Sequence, residues 1–423
     1  MAGWMARHRQ GLAWSSFAFL LVLAPRLFTS SLELAVLTQI GVAIIACLAF
    51  NILLGQGGLL SFGHAIYSGL GGFLTLHALN AVAAGGLVLP VSLLPLLGGA
   101  AGLALAVPLG YLSTRRGGTA FAMITLGLGE LMWALAPLLP GFFGGEGGIF
   151  GNRVVGARPL GLSLGPQLEL YYLVACYGLV CTALMYAFTR TPLGRMLEAT
   201  RERPERVGFV GYDVRQVRWL AFMISAFFMG VAGGLAALDF ERVTAEAFGT
   251  ARSANLLLFT VLGGSTVFFG PVIGAVLMVV ASVLLSELSR AWLLYLGLVF
   301  IAMVMHAPGG LAGLLLAHLR VAEQGLLARL LGPYALLLLA ALPTLLAFAA
   351  LAEMAYLLQA DSGPGGHLQV LGLALDPRQA APWLLGILVL LLGIVLFEIA
   401  RRRFLRVWRE VQGRIAVRPG GAR

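Results

Sequence analysis

N-I-L-L-G-Q-G-G-L-L-S-F-G-H-A-I-Y-S-G, from Asn51 to Gly69, is an apolar stretch too broken by glycine to be one ideal helix. It lies between two long apolar segments, about 32 to 54 and 58 to 80, and it carries polar Gln56, Ser61 and His64. Irregular backbone at membrane depth is tolerated only where it is buried in protein or lines a cavity. Short or glycine-interrupted apolar segments therefore point to a transport site. A second break reads L-G-G-S-T-V-F-F-G-P from Leu262 to Pro271, with Ser265 and Thr266 beside its glycines. The plainer reading of both is that small residues let helices approach closely, as they do in membrane bundles.

Composition sets these breaks in a membrane. Of 423 residues 60% are hydrophobic and 11% charged, with a mean hydropathy of +0.93, against about 45–50% and about 25% for an ordinary soluble domain. A soluble enzyme is excluded. At roughly 20 apolar residues per crossing the chain holds enough for on the order of twelve spans, read at about 12 to 29, 32 to 54, 58 to 80, 86 to 111, 119 to 138, 169 to 189, 218 to 238, 253 to 264, 270 to 288, 291 to 306, 331 to 356 and 382 to 400. The fold class is thus an all-α polytopic membrane protein of about ten core helices and about two C-terminal ones, with broken or short helices near the pore. The first segment, behind Arg7 and Arg9, resembles a signal peptide without an A-x-A cleavage site and is read as an uncleaved helix.

All 28 basic residues are arginine, and the net charge is +10. The arginines cluster in short loops: Arg7 and Arg9, Arg115 and Arg116, seven from Arg190 to Arg218, Arg320 and Arg329, and eight from Arg401 to Arg423. With both termini cytoplasmic, twelve alternating spans place every cluster inside, as the positive-inside rule asks. The outer loops, 139 to 168, 239 to 252 and 357 to 381, offset their few arginines with Glu146, Glu241, Asp361 and Asp376. This distribution speaks for topology and against nucleic-acid binding. Cys47, Cys176 and Cys181 lie in apolar runs without CxxC spacing, so neither a disulfide framework nor a metal site is indicated.

The longest internal polar segment, Arg190 to Trp219, sets Glu198, Glu202, Glu205 and Asp213 among its arginines. Such alternation suits solvated helices held by i,i+4 pairs and a protein partner, where a membrane-surface anchor would keep one sign. Glu130 stands inside the 119 to 138 span; a carboxylate there costs on the order of 2.5–3.5 kcal/mol. It is expected either to be satisfied by another helix's hydroxyl, amide or N-terminus or to meet a solute. His64 and His77 read as satisfied core histidines, and Glu353 and Glu398 as facing the bundle or an interface.

Over about residues 32 to 315 the chain resembles the LivM-type permease subunits of branched-chain amino acid ABC importers. Leu54, Gly55, Gly58, Leu60, Ser61, Gly63, His64, Ala65, Gly69 and Gly71 match the family's "LLGYxGQLSLGHAAFFGIGAY". Thr125, Leu126, Gly127, Gly129 and Glu130 match "TLGFGE", followed by G-G-E-G-G from Gly144 to Gly148 where the family has "TGGSDGL". Gly194, Arg195, Leu197, Ala199, Arg201 and Glu202 match "GRALRAIREN", and Glu205 and Gly211 frame the importer loop pattern E-A-A-x-x-x-G with both alanines replaced. Leu262, Gly263, Gly264, Gly270, Pro271, Gly274 and Ala275 match "LGG…GPxxGA", and Pro308, Gly310 and Leu311 close with "P-x-GL".

The resemblance implies a bacterial inner-membrane permease, not itself an enzyme, that moves a small polar solute inward beside a second, LivH-like permease. Two ABC ATPase subunits would carry ATP and Mg, a periplasmic binding protein would deliver the solute, and the 190–218 loop would be the ATPase-coupling element. A Walker A loop needs the lysine of GxxxxGK[ST], and this chain has none. The pore path is expected to involve Gln56, Ser61, His64, Glu130, Gly144, Gly145, Gly263 and Gly264. Branched-chain or other amino acids, urea or short amides, and aromatic or other organic acids all remain as solutes. A stand-alone secondary carrier would need more ion-coupling carboxylates than Glu130 and an internal repeat. Residues 1–315 read as the permease core and 316–423 as an extension of two spans with an Arg-rich tail gripping anionic lipid.

Overall fold

In the computed structural model, residues 2–156, 163–289, 291–307, 309–359, 368–370, 373–375 and 378–417 are described. Pro308, the D-S-G-P-G-G loop from Asp361 to Gly366, Asp376, Arg418 and Arg423 lie outside them. The helices are α1 (Ala2–Leu27), α2 (Ser31–Asn51) with a π turn (Ile52–Gln56), α3 (Ala65–Ala83), α4 (Leu94–Ser113), α5 (Thr119–Leu138), α6 (Pro140–Phe143), α7 (Gln167–Arg190), α8 (Pro192–Glu202), α9 (Pro204–Phe209) and α10 (Val214–Phe240). They continue with α11 (Thr250–Gly263), α12 (Gly270–Leu288), α13 (Trp292–His306), α14 (Gly310–Glu323), α15 (Ala328–Gln359) and α16 (Ala380–Val417). Two short antiparallel pairs, β1 (Ile149–Phe150) with β2 (Arg242–Val243) and β3 (Leu368–Val370) with β4 (Leu373–Leu375), and 3-10 turns at Val91–Leu93, Gly145–Gly147 and Ala245–Phe248 complete the described elements.

The protein is a multi-pass, all-α membrane protein. Each of the twelve apolar segments overlaps a helix, but among the described residues eight helices are long and apolar enough to cross a membrane alone, and nine if the bent pair α13–α14 forms one span. The difference lies at the breaks and at the first segment. The first break consumes residues 57–64, so α3 starts only at Ala65; α11 has 14 residues, short of the roughly 20 a crossing needs. Within the first apolar segment the apolar helix runs Trp14–Leu27.

The chain divides into two compact units, Gly3–Val280 with Met303–Gly313, and Ala281–Ala302 with Leu314–Arg423. In the first, α10 is the central helix and packs on α4, α3 and α2. Its face there is built of small residues, with Gly230 against Gly71 and Gly98, and Gly233 against Ser68. Where lipid is as apolar as leucine, close backbone approach replaces hydrophobic drive as the source of helix association. Away from α8, Phe73 stacks on Phe248 at 5.4 Å, and Leu76, Leu79, Phe143 and Leu238 close a buried cluster. His77 donates to the Phe142 carbonyl at 2.8 Å.

In the second unit α15 pairs with α16. Glu353 of α15 accepts from the Ser289 hydroxyl and, at 3.3 Å, from Tyr295 Oη. Glu398 binds Arg401 and Arg402 on its own helix, at 2.7 and 2.9 Å. Of the cysteines, Cys47 and Cys181 are buried, whereas Cys176 is exposed.

Candidate functional site

The two breaks meet. After Asn51 the helix widens into the π turn, and Gly57 and Gly58 turn the chain, Gly58 at φ +64°. Glycine costs about 1 kcal/mol relative to alanine within a helix and adopts positive φ freely, so three glycines in four residues favour termination here. A Cβ on Gly55 would stand 2.3 Å from the Ser265 carbonyl oxygen of the second break. That second break turns at Gly264, φ +112°, whose backbone lies against Gly310 at the start of α14.

From Gly58 the chain returns into the bundle. Phe62 N donates to Thr125 Oγ1 at 3.2 Å, and a Cβ on Gly63 would lie 2.0 Å from the Thr125 carbonyl oxygen, so no larger residue fits. Ala65 N, at the start of α3, donates to Ser253 Oγ of α11 at 3.0 Å. Three residues earlier on α11, Thr250 donates its hydroxyl to Glu130 of α5. The carboxylate expected to need a partner thus has a hydroxyl at a helix N-terminus, where the helix dipole also favours a negative charge.

The 190–218 loop reaches the first break directly. Thr191 caps α8, accepting from Gly194 N at 3.2 Å. Leu197 is fully buried, its Cδ1 3.1 Å from where a Gly57 Cβ would be. The Arg201 stem lies over Gly58, and its guanidinium donates to the Gly55 carbonyl, which the π turn leaves free to accept. Arg195, Glu202, Glu205 and Gly211 are exposed, and Ala199 is half-buried. Among the described residues Glu198, Glu202 and Glu205 form no ion pair with an arginine. Pro204 divides the segment into α8 and α9, and no single helix carries the i,i+4 register that alternation suggested. The sequence reading passed over Phe209 and Val210, 89% and 67% exposed at the tip; two apolar residues in a charged loop were the available signal.

The model of the family described as "Branched-chain amino acid transport system / permease component" matches residues 33–308. The chain belongs to this family of permeases. It is 30% identical to the high-affinity branched-chain amino acid transport system permease protein LivM of Escherichia coli (strain K12), over 302 residues covering 66% of this chain and 69% of that protein. Against the protein of that name from Salmonella typhimurium the identity is 32% with the same coverage. No solved structure matches.

In this permease five stretches remote in sequence form one contact path: the α8 loop, the 51–69 break, the 125–130 part of α5, the 262–275 break and the start of α14. Ser61 and His64 are fully buried on it. His64 Nε2 donates to Ser225 Oγ at 2.9 Å, whose hydroxyl donates to the Ala49 carbonyl, and the rings of Phe50, Tyr67 and Phe222 enclose the imidazole. Gln56 is half-buried at the end of the π turn, and Gly263 is buried against Gly270 and Gly274. Gly144 and Gly145 lie apart from this path, in a loop that Gly144, Gly145 and Gly148 shape at positive φ. That loop leads into β1 and so onto β2, next to the 244–252 segment. Among the described residues no group of three His, Cys, Asp or Glu side chains is placed to hold a metal.

Proposed function

We propose that this permease is the pore-forming half of an ATP-driven importer in a bacterial inner membrane, with both termini cytoplasmic, and that α8 transmits the motion of a partner ATPase to the broken helices. ATP and Mg would sit on two partner ATPase subunits, a second permease would complete the pore, and a periplasmic binding protein would deliver a branched-chain amino acid. The carrying observation is the seat of Leu197 and Arg201 on Gly55, Gly57 and Gly58. A charge-assisted hydrogen bond from a loop side chain to the carbonyl of an interrupted helix converts a push on the loop into a shift of the break. Exposed Phe209 and Val210 would enter the ATPase groove. Residues 1–315 act as the permease core and 316–423 as an accessory extension.

The test is ATP hydrolysis by the reconstituted complex. Arg201→Ala is expected to lower stimulation by loaded binding protein about tenfold while the complex stays assembled. Stimulation and uptake equal to the unaltered complex would refute the coupling route.

A further inference from the structure

A cavity of about 240 Å³ opens at the end of α10 far from α8. At about 1.5 Å rise per residue, the Gly233 to Phe240 stretch that lines it lies roughly 30–40 Å along the helix from Asp213. Its helical wall is made by Ser68 and Gly72 of α3 with Gly233, Ala236, Ala237 and Phe240 of α10, apolar except for the serine. Its remaining wall is the 242–252 segment, which presents Arg242, Glu246 and Arg252.

The three charges are not equivalent. Arg242 is engaged, donating to the Gly147 carbonyl at 3.2 Å with its guanidinium 5.1 Å over the Phe150 ring. Glu246 and Arg252 are exposed, and among the described residues neither side chain forms a hydrogen bond or ion pair. Between them the chain is tied by Gly249 N to the Glu246 carbonyl at 3.0 Å and Arg252 N to the Gly249 carbonyl at 3.1 Å. One fixed turn therefore presents an unpaired carboxylate and an unpaired guanidinium to a single small cavity. A guanidinium matches a carboxylate bidentately, and a carboxylate attracts an ammonium held in the same small space.

We propose that this cavity is a binding station for an amino acid zwitterion, with the α-carboxylate on Arg252, the α-ammonium on Glu246 and an aliphatic side chain against Gly72, Gly233, Ala236 and Ala237. At about 240 Å³ the space is of the size of an amino acid with a short aliphatic side chain. The station rests on the import reading above and gives that reading its solute chemistry. Urea, which lacks both poles, and organic acids, which lack the ammonium, fit less well. Occupancy has a short route inward, because Thr250, two residues before Arg252, donates to Glu130 of α5.

The experiment uses the full permease–ATPase complex without its binding protein, so that selection by the latter does not enter. Saturation-transfer NMR follows the methyl groups of leucine, with 4-methylpentanoate and 3-methylbutylamine as competitors that each keep one charge. Parallel proteoliposome assays, with binding protein, measure leucine uptake. For the unaltered complex both analogues are expected to compete at least tenfold more weakly than leucine. Arg252→Gln is expected to weaken leucine at least tenfold, and Glu246→Gln to make 4-methylpentanoate compete as well as leucine does. The unaltered complex tests both poles even if a variant fails to assemble: competition by either analogue equal to that of leucine overturns the proposal. So does leucine binding unchanged in both variants while uptake proceeds. A complete complex that takes up no amino acid overturns the import reading itself, and the station with it.

Discussion

Helices α2 and α10 are each long and apolar enough to cross a membrane, and so are α15 and α16, yet their surroundings differ. In the most apolar stretch of α2 and of α10, 67% and 78% of residues are buried; in α15 and α16 the share is 11% each, although the latter pair is the more apolar. In lipid the hydrophobic effect does not drive one helix against another, so leucine-rich surfaces are free to face the bilayer. Burial follows small residues and backbone contact, as between Gly230 of α10 and Gly98 of α4. The bundle around α2 and α10 and the α15–α16 pair are therefore two kinds of membrane structure in one chain: an interlocked bundle with broken helices, and a leucine-faced hairpin.

The strongest way to break this contrast is to spoil the interlock. Gly63→Val drives a branched side chain into the Thr125 carbonyl. Overpacking costs typically 1–3 kcal/mol, and the clash here is with backbone, so loss of monodisperse protein in size-exclusion chromatography is expected. A normal yield of active Gly63→Val permease would mean that the break is not a packed joint. Truncation after Leu315 should act less severely. It removes Glu353 from Ser289 and Tyr295 and leaves the contacts of α2, α3, α4 and α10 untouched. The core is expected to keep its fold while assembly with partners weakens, seen as subunit loss on purification. A truncated complex both intact and fully active would remove any accessory role for the extension.

The smallest effect compares one hydrogen bond in each region. Double-mutant cycles on Thr250 with Glu130 and on Ser289 with Glu353 should each give about 0.6 kcal/mol, the average for interhelical hydrogen bonds in membranes, read from thermal unfolding in detergent. Equal couplings would place the difference between the regions in packing alone. A core coupling several times larger would mean that polar bonds also separate them.

Much of this was legible along the chain. The apolar segments locate every membrane helix because a crossing needs roughly 20 apolar residues whatever they pack against. The glycine clusters mark both interruptions, and Glu130 announced a need for a partner. What single segments do not encode is how much of each becomes helix. Residues 57–64 read as the start of a span but are spent returning into the bundle, a choice made by Thr125 accepting from Phe62 N and by Ser253 accepting from Ala65 N. The i,i+4 pairs expected of the α8 loop are absent among the described residues because Pro204 splits it, while Arg201 turns to the Gly55 carbonyl and Arg190 and Arg215 lie over the Tyr186 and Tyr111 rings.

By itself the sequence determined a lysine-free, arginine-flanked membrane bundle interrupted twice, since hydropathy and charge act on each segment locally. Only the tertiary structure decided that the two interruptions touch through Gly55 and Ser265, that Arg201 reaches one of them from outside the bundle, and that Glu246 and Arg252 share a cavity. The physical reason is distance along the chain: more than 200 residues separate Gly55 from Ser265, and no local rule of hydropathy, charge or turn formation specifies a contact across that span.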